Sequence, residues 1–221
     1  MKKILCLLLL LPNLLFSQES SSASKINLGV FVLPEMNHLY LYSTDWESSK
    51  AKLGFSAGVN VEFTLGNKVS LRAGLGYGFK RYIHILDDLV FGQDINPQQG
   101  TLSTSRLEQR VSFSEMQLSV IFQFKFSKYF FIGSGIEFNA AFANTSKREI
   151  KNDLGSIYTL SDTQNNSSVN LAPSLSIGYV LPISNKSELV IEPMFKFYLL
   201  EYIFPSSNLY NYGIKFTYNF L

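Results

Sequence analysis

Hydrophobic and polar residues alternate along residues 51–80. Between Leu53 and Leu65 every odd-numbered residue is apolar, whereas the even-numbered residues are Gly, Ser, Asn, Glu and Thr. The alternation resumes after residues 66–68 and continues to residue 80. Because side chains alternate across a β-strand, this pattern predicts a hairpin with one apolar and one polar face. Each arm also suits a tilted transmembrane strand, which needs roughly 9–11 residues.

The polar face predicts how the two strands of this hairpin pair. Polar side chains occupy even numbers on both strands, so the numbers of facing residues must add to an even number. A three-residue turn at 66–68 meets that requirement and centres the register on Asn67. Glu62 then lies opposite Arg72, and a pair of opposite charges is predicted on the polar face.

The same alternation recurs along the chain and predicts eight strands. The strands are residues 26–33, 53–65, 69–80, 115–126, 130–142, 170–179, 189–199 and 211–220. Long loops are predicted at 34–50, 81–108, 143–168 and 200–208, and short turns at 66–68, 127–129 and 182–187. Alternating long loops and short turns are typical of bacterial transmembrane barrels, whose loops face outward and whose turns are periplasmic. We therefore expect an all-β protein, an eight-stranded antiparallel up-and-down transmembrane β-barrel with both termini in the periplasm.

The alternative with the same strand count is a soluble lipocalin-like barrel, in which the apolar face would point inward around a ligand. Here the apolar face carries bulky aromatic residues, and the polar face carries charges and several glycines. A narrow interior needs the small residues, so the apolar face is expected outside. Aromatic residues also concentrate near both ends of the predicted strands, as expected of the two interfacial girdles of a membrane barrel.

The first residues predict export. Lys2 and Lys3 precede an apolar run and a small residue, Ser17, which is the pattern of a secretory signal peptide. The expected organisation is a signal peptide at 1–17, a periplasmic lead at 18–24 and an outer-membrane barrel at 25–221. The only cysteine, Cys6, falls in the signal peptide, so the mature chain has no disulfide. No run of 18 apolar residues predicts a membrane-spanning helix.

Charge argues against a nucleic-acid partner. The chain has 19 basic and 17 acidic residues, and two of the basic ones lie in the signal peptide, so the mature chain is near neutral. On the strands, nine charged residues point inward and are expected to form a network in the lumen: Glu62, Arg72, Lys80, Glu115, Lys125, Glu137, Glu192, Lys196 and Lys215. An eight-stranded interior is only wide enough for side chains, so these charges should pair and plug the lumen. The alternative is a small pore.

Catalytic and metal sites are weakly supported by the sequence. His38 with Ser43 and Asp45 has the residue types of an enzyme that modifies lipid A, which is the second alternative function. Asp87, Asp88 and Asp94 do not have the spacing of a calcium-binding loop. We expect no catalytic residue, no cofactor and no metal. The apolar residues of loop 81–108 indicate either a hairpin that protrudes beyond the membrane or an exposed patch that docks a partner.

Several segments together resemble a known family. Phe16-Ser17 before Gln18, the stretch Val111 to Lys125, Gly133-Ser134-Gly135 and the aromatic last strand are similar to outer-membrane barrels of Bacteroidetes, of the PorT-like and OmpA/OmpX-like eight-stranded type. The resemblance implies a non-enzymatic protein whose outer loops serve structural or recognition roles. It also implies outer-membrane lipid, the barrel assembly machinery and an extracellular or secretion-system protein as partners. That machinery reads a terminal aromatic residue, whereas here Phe220 is penultimate and Leu221 is last.

Overall fold

The computed structural model describes residues 26–41, 46–90, 104–152, 157–164, 168–199 and 207–220. They form nine antiparallel strands: β1 (Ile26–Leu41), β2 (Glu47–Thr64), β3 (Val69–Val90), β4 (Thr104–Lys125), β5 (Phe130–Asn152), β6 (Ile157–Gln164), β7 (Ser168–Ser184), β8 (Ser187–Phe197) and β9 (Ser207–Phe220). None of the described residues belongs to a helix long and apolar enough to cross a membrane. The predicted signal peptide and lead lie outside the described residues.

Eight of the strands close into a ring. Each strand pairs with its neighbours in the order β4-β3-β2-β1-β9-β8-β7-β5, and β4 pairs with β5 to complete the circle. β6 lies outside this ring and pairs with the far part of β5, from Asn144 to Lys151. The predicted sixth strand, 170–179, lies within β7, whereas β6 is an additional strand in the segment predicted as the loop at 143–168. The eight-stranded antiparallel barrel itself is confirmed.

The outer wall of the barrel is apolar and the lumen is polar. Phe55 and Phe122 are each 51% exposed on the outer face, whereas the inward-pointing Arg72 is 1% exposed. Along β1, exposed and buried residues alternate from Ile26 to Pro34. This distribution is the reverse of a lipocalin-like barrel and confirms that the apolar face is outside.

The predicted hairpin register is confirmed. Glu62 is the partner of Arg72, and the pairing of β2 with β3 is centred on Asn67. The turn is closed by hydrogen bonds from the Leu65 and Gly66 amides to the Val69 carbonyl, at 3.0 and 3.2 Å. A similar short turn joins β4 to β5, where the Ser127 hydroxyl accepts hydrogen bonds from the Tyr129 and Phe130 amides. We call the end of the barrel with these short turns the turn end, and the opposite end the loop end.

The strands are longer than predicted at the loop end. β1 continues to Leu41 and β2 begins at Glu47, so the predicted loop at 34–50 is wrong for most of its length. Likewise β3 reaches Val90, β4 begins at Thr104 and β5 reaches Asn152, which shortens the loops predicted at 81–108 and 143–168. The turn predicted at 182–187 contains only residues 185 and 186. Backbone pairing needs no apolar face, so it continues after the hydrophobic alternation ends.

Residues 81–90 and 104–108 therefore form a hairpin that extends β3 and β4, while residues 91–103 lie outside the described part of the chain. Ile83 and Ile85 are 5% and 1% exposed, so neither presents a free apolar surface. The interpretation of this segment as a strand extension is confirmed for its described residues.

Candidate functional site: the charged lumen

Four charged residues meet in the lumen near the turn end, and we call them the turn-end cluster: Glu62, Arg72, Lys125 and Glu192. The Arg72 guanidinium donates to Glu192 across the lumen at 2.6 Å and to Glu62 on the neighbouring strand at 3.4 Å. Lys125 donates to the other oxygen of Glu62 at 2.8 Å. Arg72, Glu62 and Glu192 are almost fully buried, so each charge depends on these partners rather than on water.

Polar side chains complete the turn-end cluster. The Ser176 hydroxyl donates to Glu192 at 2.6 Å. The Gln123 amide lies 2.9 Å from the Ser70 hydroxyl and 2.7 Å from the Arg72 guanidinium, an arrangement that is satisfied when its oxygen faces Arg72. A pocket of about 50 Å³ lined by Glu62, Arg72 and Lys125 opens at this end of the barrel. Ser176 thus satisfies a carboxylate oxygen of Glu192, and the Gln123 oxygen accepts from the Arg72 guanidinium.

A second group lies closer to the loop end, and we call it the loop-end cluster: Glu35, Lys80, Glu115, Glu137 and Lys196. The Lys80 ammonium contacts Glu35 directly and lies 3.4 Å from Glu115. Lys196 binds Glu137 at 2.9 Å and lies 4.0 Å from Glu35. Each of these five side chains is buried.

Hydrogen bonds tie the loop-end cluster to several strands. Glu115 accepts from the Tyr198 hydroxyl at 2.9 Å and from the Gln117 amide at 2.8 Å. Glu35 accepts from the Ser56 hydroxyl at 2.8 Å and from the Asn211 amide at 3.3 Å. Contacts from β1, β2, β3, β4, β8 and β9 therefore converge on two carboxylates.

Lys215 has a different partner from the other cations predicted in the lumen. Its ammonium lies 4.2 Å from the centre of the Phe31 ring, which is a cation–π contact. Phe31 in turn fits over Gly76, where an added Cβ would come within 2.9 Å of the ring. An added Cβ at Gly178 would likewise overlap the ring of Phe131. Glycines on the inner wall thus make room for aromatic rings in the lumen.

An apolar layer covers the loop-end cluster, and the sequence analysis missed it. It consists of the buried residues Leu39, Tyr82, Val111, Phe113, Ala141, Ala172, Tyr198 and Leu209. The Tyr82 and Phe113 rings meet edge to face, with centroids 6.4 Å apart. The layer includes inward-pointing residues from strand segments that had been interpreted as loops. Continuing the period-two alternation past residue 80 on β3 would have revealed Tyr82.

Glu35 is the charged residue that sequence reasoning missed. Pro34 suggested that the first strand ended, but β1 continues through it because pairing with β9 resumes at Glu35 in the same register. A proline lacks an amide proton, so it interrupts the ladder without ending the strand. Glu35 shares the odd-numbered, inward-pointing face of Phe31 and Leu33, which is the signal that identifies it. With Glu35 the network contains five carboxylates and the five predicted cations.

His38 is the described member of the alternative catalytic group, His38 with Ser43 and Asp45. Its ring nitrogens lie 3.3 and 3.4 Å from the Ser49 hydroxyl, which donates instead to the Leu39 carbonyl at 2.7 Å. Ser43 and Asp45 lie outside the described residues. Among the residues that are described, no carboxylate contacts His38, so the acid needed to orient a catalytic imidazole is not seen there.

The acidic residues considered as calcium ligands are only partly described. Asp87 lies 3.5 Å from Arg106, and Asp94 is outside the described residues. His84, near the loop end, lies 3.8 Å from Glu47, and its burial lowers the pKa of the imidazole although Glu47 opposes this effect. Within the described ranges, no three His, Cys, Asp or Glu side chains are grouped as a metal site would require.

A match to a known protein family agrees with this architecture. The family model described as "Outer membrane protein beta-barrel domain" matches residues 16–179. Among solved structures, the attachment invasion locus protein Ail of Yersinia pestis is 9% identical, with 88% of this chain and 98% of that chain covered and a TM-score of 0.46. Neisserial surface protein A is 10% identical, with 89% and 98% covered and a TM-score of 0.39.

The outer membrane protease OmpT of Escherichia coli is 9% identical, with 93% of this chain and 98% of that chain covered and a TM-score of 0.36. A comparison with curated protein sequences gave no match.

Proposed function

Because the chain belongs to the outer membrane protein beta-barrel domain family, we propose that it is a non-enzymatic integral outer-membrane protein with a closed lumen. Its structural or recognition role is then carried by the loop ends of its strands. The observation that supports closure most strongly is the Arg72–Glu192 contact at 2.6 Å, which joins opposite walls of the barrel. An ion that entered the lumen would have to displace this buried pair.

Closure is also supported by the layers on either side of that contact. Phe31 and Phe131 occupy the lumen around it, and the loop-end cluster fills the next level. The apolar layer around Tyr82 and Phe113 covers the loop-end cluster. A conducting pore lined by one sign of charge would need a continuous polar path, whereas here opposite charges contact each other directly.

The recognition role is supported by the strands that extend beyond the apolar wall. β3, β4 and β5 have 22, 22 and 23 residues, about twice the length needed to cross a bilayer. We further propose that the chain is a PorT-like barrel of Bacteroidetes type, on the segments that resemble that group. Its partners would then be outer-membrane lipid, the barrel assembly machinery acting on β9, and an extracellular or secretion-system protein.

Orientation gives the first testable prediction. An epitope inserted between β5 and β6 should bind antibody on intact cells, because long strand extensions of outer-membrane barrels face outward. An epitope inserted at Asn67 in the short β2–β3 turn should bind antibody only after the outer membrane is permeabilised. Both variants should first show heat-modifiable gel mobility, the sign of a folded barrel. Exposure of the Asn67 epitope alone would reverse the orientation and place the termini outside.

The absence of catalysis gives a second prediction. Lipid A from cells with and without the gene should have the same mass spectrum, because no described carboxylate contacts His38 and the ring lies against Ser49 and Tyr210. The matched control is a strain that expresses the His38→Ala variant at the same level. A gene-dependent change of acyl chains or phosphates that disappears in the His38→Ala strain would establish an enzyme instead.

A further inference from the structure

A cleft of about 820 Å³ lies in the outer wall of the barrel, at the level where the apolar belt ends. Its lining contains five cations on four adjacent strands: Lys50 and Lys52 on β2, Arg81 on β3, Arg110 on β4 and Lys147 on β5. All five side chains are exposed. We call this feature the basic cleft.

Strand register arranges three of these cations in a row. Lys50 pairs with Ile83, Ile83 pairs with Arg110, and Arg110 pairs with Lys147. The row therefore crosses three strand spacings, about 14 Å, on the face of the barrel that points away from the lumen. Ile83 lies between the cations and is buried, so the floor of the cleft is apolar while its rim is charged.

A register shift gives the cleft its shape. β2 changes its pairing with β3 between Ala51 and Phe55, which is a β-bulge. At this bulge the Arg81 guanidinium donates to the Leu53 carbonyl from two nitrogens, at 3.1 and 3.0 Å. The central carbon of this guanidinium also lies 5.7 Å from the centre of the Phe79 ring. These contacts hold Arg81 at the edge of the belt without neutralising it.

The cations of the basic cleft are only partly neutralised. Glu108 and Glu149 accept from Arg110 at 3.0 and 3.5 Å, and Glu149 also binds Lys147 at 3.2 Å. Lys50, Lys52 and Arg81 have no ion pair with any described residue. Five cations with two carboxylates leave an excess of three positive charges in the cleft.

The wall directly below the basic cleft is apolar. Leu53, Phe55, Tyr77, Met116 and Phe142 are 41–55% exposed there and point outward. In a membrane these residues would contact acyl chains, and the cations above them would lie at the level of the lipid headgroups. Basic residues at that level attract anionic lipids, and arginine binds phosphate through two parallel hydrogen bonds.

We propose that the basic cleft binds the phosphate groups of an anionic lipid in the outer leaflet, whose acyl chains lie along the apolar wall below. This inference rests on the proposed placement of the loop end at the outer surface. The proposed occupant is a phosphorylated glycolipid, because the row of cations spans more than one phosphate and the wall below is apolar.

The test uses the full-length mature barrel, folded in detergent, and measures lipid retention by native mass spectrometry. Bisphosphorylated lipid A should bind at least about tenfold more weakly to the Lys50→Gln/Arg81→Gln/Lys147→Gln variant than to the unmodified protein. The control Lys68→Gln/Lys128→Gln/Lys186→Gln removes the same charge from exposed lysines at the turn end and should bind as the unmodified protein does. Dephosphorylated lipid A should bind weakly to all three proteins.

Competing probes separate the sources of phosphate. Inorganic phosphate should displace the lipid poorly, because it cannot contact the apolar wall. Displacement by millimolar inorganic phosphate, or equal binding of lipid A with and without its phosphates, would overturn the proposal. Preferential binding of poly-glutamate would assign the cleft to an acidic protein segment and would also overturn it.

Folding of the variants is checked separately by heat-modifiable mobility. If the triple variant does not fold, Lys50→Gln/Lys52→Gln changes only exposed side chains that have no ion pair with a described residue, and it should still weaken lipid A binding severalfold. A folded barrel that binds lipid A equally well with and without its phosphates would contradict this inference but not the proposed function. A protein that does not fractionate with the outer membrane would instead contradict the proposed function.

Discussion

Replacing Arg72 with alanine should lower the free energy of unfolding of the barrel by about 3–5 kcal/mol, the usual cost of stranding a buried charge. Its guanidinium is the shared partner of Glu192 and Glu62, which are 0% and 3% exposed. Without it Glu192 keeps its hydrogen bond from Ser176 and its cross-strand neighbour Lys215, whereas Glu62 keeps Lys125. The loss is measured by urea unfolding in detergent or by the temperature at which the folded gel band disappears.

Matched variants separate this pair from a general loss of charge. Lys125→Ala removes a cation that is 32% exposed, so water can replace it and the loss should be below about 1 kcal/mol. The double variant Arg72→Ala/Glu192→Gln should recover part of the stability, because the stranded carboxylate is gone. If the loss of stability in the double variant equals the sum of the losses in Arg72→Ala and Glu192→Gln, then Arg72 and Glu192 are not coupled.

Replacing Lys80 with methionine should have a similarly large effect, about 3–5 kcal/mol. Methionine nearly keeps the volume, so the change removes the charge and leaves Glu35 and Glu115 without their common cation. Each carboxylate keeps two hydrogen-bond donors, but Lys80 contacts Glu35 directly and lies 3.4 Å from Glu115, so Glu35 should lose more from the change. The measurement is again the unfolding midpoint in urea.

The partner of Lys80 is identified by a second change. Glu35→Gln in the Lys80→Met background should restore most of the lost stability, since the amide removes the unpaired negative charge. The control is Lys68→Met, at an exposed lysine of the β2–β3 turn, which should change stability by less than about 0.5 kcal/mol. If Glu35→Gln adds its own loss to that of Lys80→Met, the contact between the two residues does not stabilise the barrel.

Hydrophobic alternation was sufficient to predict the ring of strands because the pattern is set by the lipid on one side and the lumen on the other. The register of β2 with β3 followed from the even numbering of the polar residues on both strands. A shift of one residue would place Glu62 and Arg72 on opposite faces of the sheet. The alternation becomes weak at the loop end, where neither face contacts lipid. β1 was ended at Leu33 because Pro34 follows it, and Glu35 was therefore missed.

Contacts across the lumen could not be predicted from the sequence. Parity placed Arg72 opposite Glu62, but its shorter contact is with Glu192, which is 120 residues away on β8. Which inward residues meet depends on the stagger of the strands around the closed barrel, and a single hairpin does not specify it. The basic cleft was missed for a related reason, because three of its five cations, Lys50, Arg81 and Lys147, come from segments that had been interpreted as loops.

The central claim is that side chains close the lumen, and conductance of the purified barrel in a planar lipid bilayer tests it most directly. Successful insertion is verified with heat-modifiable mobility of the same sample, and a general porin serves as the conducting control. If the lumen is closed, we expect no discrete current steps from the unmodified protein in 1 M KCl. Regular ohmic steps that scale with salt concentration would contradict this claim and would show that ions pass the Arg72–Glu192 pair.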